Sequence, residues 1–423
     1  MKNKIKSLAS NPFVQGSFLL TISNLIISTL NYFFNFLTGR ALGPTGYGEI
    51  TAFFSYSAIF SIPFTIVSSL IIQKIGSNDT NHYAFAKALE LWFINKIKKW
   101  WFLSVLLIAI APFMPRITNV APVTGYLIIV AAIFAPFSVF YSSALQGLKL
   151  FLVFAVINII SAFIKFIGAV LVTFNIDGFI TILSCLMISI IFNLVAVILS
   201  FRKYVKSPIP RRKIERRLTE AIFNRYFFLT SISVFSIVLL SNLDIIFVKK
   251  FFLPGEAGYF SAWSLFAKII FYLVGPFVSL SFIFFSSKKN AGEQDRILIG
   301  TLLVLVVIGI SCFFLYTFFP RVVEIIFGNK FKYIMPFLPL SALFGIFYSA
   351  INLFNNYFLA KKSLLTLILP LSFPIYIYIL FTYRGNLVKV MNIDIFFALS
   401  VSVIYLGAYI FQKKFNRLFI ISS

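Results

Sequence analysis

The sequence predicts an all-α polytopic membrane protein with about twelve transmembrane helices in two pseudo-repeated six-helix lobes, both termini cytoplasmic. Three observations carry that expectation. Hydrophobic residues make up 60% of the 423 and charged residues only 12%, so the apolar surface exceeds what one soluble globule can bury. The apolar runs are continuous over about twenty residues, the length that crosses hydrocarbon, whereas barrel strands would alternate over about ten. The 20 Gly and 16 Pro are scattered through those runs, a mixture that membrane helices tolerate and soluble helices avoid.

Taken in order, the first apolar run, Phe13 to Leu37, is too long for the core of a cleavable leader and reads as span one. Spans are expected near 14–37, 49–72, 101–114, 123–146, 151–174 and 178–201, then 223–248, 260–285, 297–319, 335–359, 364–381 and 393–411. The third and eleventh are short enough to tilt or re-enter. Orientation follows from Lys and Arg, which resist translocation in short loops. With the N-terminus inside, 26 of the 37 fall on the cytoplasmic side and 9 on the far side, and Lys165 and Lys268 lie within spans. The densest basic stretch, Arg202 to Arg217, becomes a central cytoplasmic linker (206–220) between lobes at 1–205 and 221–423. Lys96 to Lys99, in front of Trp100 and Trp101, reads as an interfacial anchor in a loop that also holds His82. The net charge of +25 is thus explained by topology and by attraction to membrane lipids with anionic headgroups. Nucleic-acid binding is not expected, because the basic runs sit beside spans and no extramembrane segment is long enough for a recognition domain.

An internal repeat supports the two lobes. The turn after span one reads Gly39-Arg40-Ala41-Leu42-Gly43-Pro44-Thr45-Gly46-Tyr47-Gly48, and the turn after span seven reads Phe252-Leu253-Pro254-Gly255-Glu256-Ala257-Gly258-Tyr259. Their Gly-Tyr pairs lie 212 residues apart, Pro63 and Pro276 lie 213 apart, and Phe140-Tyr141-Ser142 is echoed 207 residues later by Phe347-Tyr348-Ser349. Parallel repeats of this kind are a known plan for secondary transporters.

Polar side chains inside spans turn away from lipid, because each needs a partner or water. In span one Ser17, Thr21, Asn24, Ser28, Asn31, Asn35 and Thr38 share one helical face. Span five carries Asn158, Ser161, Lys165 and Gly168 on a face, and span eight carries Ser261, Ser264, Lys268, Tyr272, Gly275 and Ser279. Span seven adds Thr230, Ser241 and Asp244, with Lys249 and Lys250 one turn on. A lysine at mid-membrane costs about 3 kcal/mol on insertion scales, so each implies a partner or a purpose. Two readings stand: small polar residues cementing helices, with Asp244 neutralising Lys268 as the sole acidic candidate within spans, or a cationic cavity for an anionic substrate. The cavity reading assigns Asn24, Asn31, Lys165, Asp244, Lys268 and Tyr272 to the lumen and Arg40, Lys249 and Lys250 to its outer mouth. The last three positions also suit helix-terminal charges and interfacial anchors.

Other chemistries lack their residues. There is no Gly-Lys dipeptide for a phosphate-cradling loop. One His and the separated Cys185 and Cys312 imply neither metal site nor disulfide. No cofactor is expected; a proton gradient, a sodium gradient or the membrane potential is left as the energy source. No close pair of carboxylates and no outward loop longer than about twenty residues favours a membrane glycosyltransferase or polymerase, and no catalytic residue is assigned.

Gly39 to Pro44 with Gly46-Tyr47-Gly48, then Asp244 and Lys249 before Gly258-Tyr259 and Lys268, resemble the polysaccharide (O-antigen or capsule repeat-unit) flippases of the multidrug/oligosaccharidyl-lipid/polysaccharide exporter superfamily. Phe327-Gly328-Asn329-Lys330-Phe331 and Tyr357 to Lys362 extend the similarity. The resemblance implies two lobes that alternate access across the bacterial cytoplasmic membrane. Its implied cargo is an undecaprenyl-diphosphate-linked oligosaccharide, moved from the inner to the outer leaflet for a surface polysaccharide. It also implies a polysaccharide polymerase and glycosyltransferases as partners, Lys165 and Lys268 in a basic lumen, Asp244 as an ion-coupling or charge-balancing group, and Arg40 at the outer mouth. A drug/cation antiporter of the same superfamily, which would be expected to offer intramembrane carboxylates, is the rival within that resemblance.

Overall fold

A computed structural model describes residues 12–76, 82–174, 178–206, 225–286, 291–383 and 385–414. The 206–220 linker therefore lies, but for Lys206, outside the described residues. Among them, 11 helices are long and apolar enough to cross a membrane. The first, Pro12–Gly76, is 65 residues long, roughly 100 Å or three times the hydrocarbon thickness. It is two spans joined at a bend, which makes twelve. The bend sits at Gly43, with φ 69° and ψ −174°, a conformation that glycine enters without steric cost. Pro44 follows, suited by its fixed φ to the first position of the new helix.

The remaining spans are Trp101–Thr118, Pro122–Gly147, Phe151–Val172, Gly178–Tyr204, Phe227–Phe251, Pro254–Phe282, Gly292–Phe318, Asn329–Ala360, Leu364–Thr382 and Leu387–Gln412. Two expectations need correction. The segment read as a loop before span three is largely a helix, His82–Lys99. The motif segments read as turns are mostly helical: Gly39 to Gly48 runs through the bend of the first helix, and Gly258-Tyr259 lies inside Pro254–Ser286.

The contacts divide the chain into two units, Met1–Leu42 with Tyr56–Ile222 and Gly43–Ser55 with Phe223–Ser423. In the first unit, spans five and six pack closely: a Cβ on Gly168 would stand 2.5 Å from Cys185 Cβ. The helix His82–Lys99 is tied to one end of this unit by a core that includes Ile71, Ile75, Leu89, Phe140, Tyr141 and Phe201. Its Glu90 is 2% exposed, accepts the Tyr141 hydroxyl at 2.9 Å and pairs with Lys87 at 2.6 Å. A buried carboxylate held on both oxygens fixes the helix against span four.

The second unit is built around Trp263, fully buried, which stacks on Phe344 at 5.6 Å and donates its indole N–H to the Phe337 carbonyl at 2.9 Å. The first turns of span two, which begin at Pro44, pack here against span eight. A Cβ on Gly258 would fall 1.8 Å from the Pro44 carbonyl oxygen, and one on Gly48 2.9 Å from the Gly258 nitrogen. The two backbones touch because neither residue has a side chain. Thr51 Oγ1 donates to Ser261 Oγ at 2.7 Å one turn further along. Tyr47 and Tyr259 each place an aromatic edge on Phe331 at 6.0 Å, and the Lys330 side chain lies beside Gly43. Three sequence motifs that looked separate are thus one packed cluster.

Candidate functional site

Polar groups within the spans gather into one constellation in each unit. In the first, Lys165 Nζ donates to Asn31 Oδ1 at 2.8 Å, linking spans five and one. Lys165 stands fourteen residues into Phe151–Val172 and seven from its end, roughly 10 Å from the nearer helix terminus. Its neighbours on the same helix serve packing: Ser161 and Ser189 share their hydroxyls at 2.8 Å, and Gly168 admits span six. Asn158 receives a hydrogen bond from Asn193 at 3.3 Å, and Asn193 accepts one from Ser138 at 2.8 Å. The stripe on span five therefore divides, with most members cementing helices and Lys165 turned to span one. Spans one, four, five and six contain no Asp or Glu, so the formal charge of this interior is set by its lysine. Asn24 is exposed, seven residues and two turns from Asn31 on span one.

In the second unit Lys268 Nζ donates to the Ser241 carbonyl at 2.8 Å. Ser241 Oγ is hydrogen-bonded to the Tyr348 hydroxyl, and Asp244, 1% exposed, sits one turn on from Ser241. Lys268 and Asp244 act on one another electrostatically, while the hydrogen bond of the ammonium goes to backbone. The Asp244 carboxylate accepts the Ile245 amide through Oδ1 at 2.8 Å, and its buried Oδ2 has no hydrogen-bond partner.

Asp244 is not the sole acid within spans. Asp394 is also 1% exposed, accepts the Tyr376 hydroxyl at 2.6 Å, and leaves its own Oδ2 buried without a partner. Asp394 falls at the edge of the span expected near 393–411, but the helix begins at Leu387, so the residue lies two turns inside it. The signal that finds it is amphipathic: Leu387, Val390, Met391, Asp394, Ala398 and Val401 are all buried on one helical face.

The outer-mouth residues separate. Arg40 is exposed and Lys250 partly so, whereas Lys249 is 1% exposed and forms an ion pair with Glu49. Lys249 is a buried cation of the second unit. Tyr272 is 50% exposed, while Val274 and Val278 on the same helix are buried.

Twelve spans with lysines and carboxylates held inside them define a multi-pass membrane protein. The fold is that of a multidrug resistance MATE family transporter of the MOP superfamily in its inward-facing conformation (TM-score 0.65, 14% identity, covering 92% of this chain and 96% of that one). It is equally that of the lipid II flippase MurJ in an inward closed conformation (TM-score 0.66, 15% identity, covering 93% and 87%). No protein-family model matches the sequence, and no curated protein does.

Proposed function

We propose that the protein is a flippase that moves an undecaprenyl-diphosphate-linked oligosaccharide from the inner to the outer leaflet of a bacterial cytoplasmic membrane by alternating access, for a surface polysaccharide such as O-antigen or capsule. The observation that carries this reading is a lysine within the spans of each unit, Lys165 on the Asn31 amide oxygen and Lys268 on the Ser241 carbonyl. A diphosphate with about two negative charges cannot enter hydrocarbon unaided, and fixed ammonium groups lower that barrier without covalent chemistry. The fold shared with MurJ supports a lipid-linked cargo. Coupling is assigned to Asp244 and Asp394, two buried carboxylates within the spans that each leave one oxygen without a hydrogen-bond partner.

The test is leaflet exchange in proteoliposomes loaded with a lipid-linked oligosaccharide. Lys165→Ala or Lys268→Ala is expected to abolish exposure of the glycan at the far leaflet while the protein inserts at normal abundance. Exchange at the wild-type rate in both variants would overturn the reading. The same two carboxylates favour a second reading, a drug/cation antiporter, since buried acids also suit a cationic cargo. Counterflow of an organic cation without glycan-lipid exchange would select it.

A further inference from the structure

The first unit contains a cavity of about 350 Å³ that neither lysine constellation uses. Its walls come from span two (Val67), the helix His82–Lys99 (Trp92, Lys96), span three (Leu107) and span four (Pro136, Phe140). Apolar side chains dominate the lining, and the polar ones are Lys96 and Ser104. Such a volume lies within the range of small-molecule pockets. The walls are fixed, because Glu90 and the core around Tyr141 hold the helix His82–Lys99 in place.

The chemistry at the rim is cationic and interfacial. Lys96, Lys98 and Lys99 occupy the last turn of the helix, and Lys96 Nζ lies 5.9 Å from the centre of the Trp92 ring. Trp100 and Trp101, 51% and 63% exposed, mark the headgroup level where indoles settle. An apolar interior with Lys96 in its wall, and Lys98 and Lys99 exposed on the same last turn of the helix, matches an amphiphile with one hydrocarbon chain to bury and an anionic phosphate to leave at the surface.

We propose that this cavity is a binding site for one acyl chain of an anionic phospholipid, whose phosphate is held by the lysines of that last turn. The site belongs to the leaflet on the basic side of the protein and does not depend on which cargo the protein carries. A lipid seated there ties the helix His82–Lys99 to spans two to four.

The purified protein is delipidated, mixed with phosphatidylglycerol or phosphatidylcholine, and weighed intact by native mass spectrometry. Phosphatidylglycerol is expected to leave one retained adduct per chain at about tenfold lower concentration than phosphatidylcholine. Charge reversal of Lys96, Lys98 and Lys99 to Glu is expected to erase that preference. Leu107→Trp, which fills the cavity, is expected to lose the adduct for either lipid. The reversal changes surface positions only, so it remains informative where Leu107→Trp lowers the yield. Equal retention of the two lipids by the wild type, or an unchanged preference in the charge-reversed protein, would overturn the proposal. So would a polyprenyl phosphate that binds there and that phosphatidylglycerol does not displace.

Discussion

Lys249 and Glu49 show how one buried ion pair is tested apart from function. Their ammonium and carboxylate meet inside the second unit with Lys249 1% exposed. Removing one partner leaves a buried charge uncompensated, so Glu49→Ala or Lys249→Ala is expected to cost about 3–5 kcal/mol. The measurement is thermal unfolding in detergent, with the double replacement Glu49→Leu and Lys249→Met recovering most of the loss. Asp394→Asn is expected to act differently, leaving the fold intact but flattening the dependence of transport on an imposed proton or sodium gradient, read in proteoliposomes. The contrast explains what was legible in the sequence. Lys165 and Lys268 stand out because a charge in an apolar run has no local excuse. Asp394 hid at a span edge because hydropathy marks where a helix is greasy, not where it begins. The burial of Lys249 was invisible because its partner lies 200 residues away in the chain.

At the scale of elements, glycine positions separate contact from habit. Gly258→Ala would drive a methyl into the Pro44 carbonyl, and Gly48→Ala would crowd the Gly258 backbone. Both are expected to lower folded abundance sharply. Gly275→Ala, in the same span with nothing within 4 Å of its added carbon, is expected to be neutral or to stabilise by about 0.5–1 kcal/mol through reduced freedom of the unfolded chain. Fluorescence-detected size-exclusion profiles after graded heating distinguish these outcomes. The Gly-Tyr motifs were recognisable as a repeat, yet they read as turns, because glycine and proline signal both a loop and a close helix crossing. The helix His82–Lys99 went unread for the opposite reason. Its alanines and lysines have too little hydropathy for a span, and its burial depends on Tyr141 and Phe201, far along the chain.

At the scale of the whole molecule, the number and order of spans follow from hydropathy alone, because each must cross the same thickness of hydrocarbon. What hydropathy does not reveal is that Gly43–Ser55 belongs to the second unit. That membership predicts the outcome of cutting the chain. Residues 1–206 and 207–423, co-expressed with a tag on the first piece only, are expected to co-purify from membranes. Gly258→Leu in the second piece is expected to abolish their recovery together. The contact responsible joins Thr51 to Ser261 and Gly48 to Gly258, each pair 210 residues apart. Span two thus changes allegiance along its own length, its first turns packing with the second unit and the rest with the first.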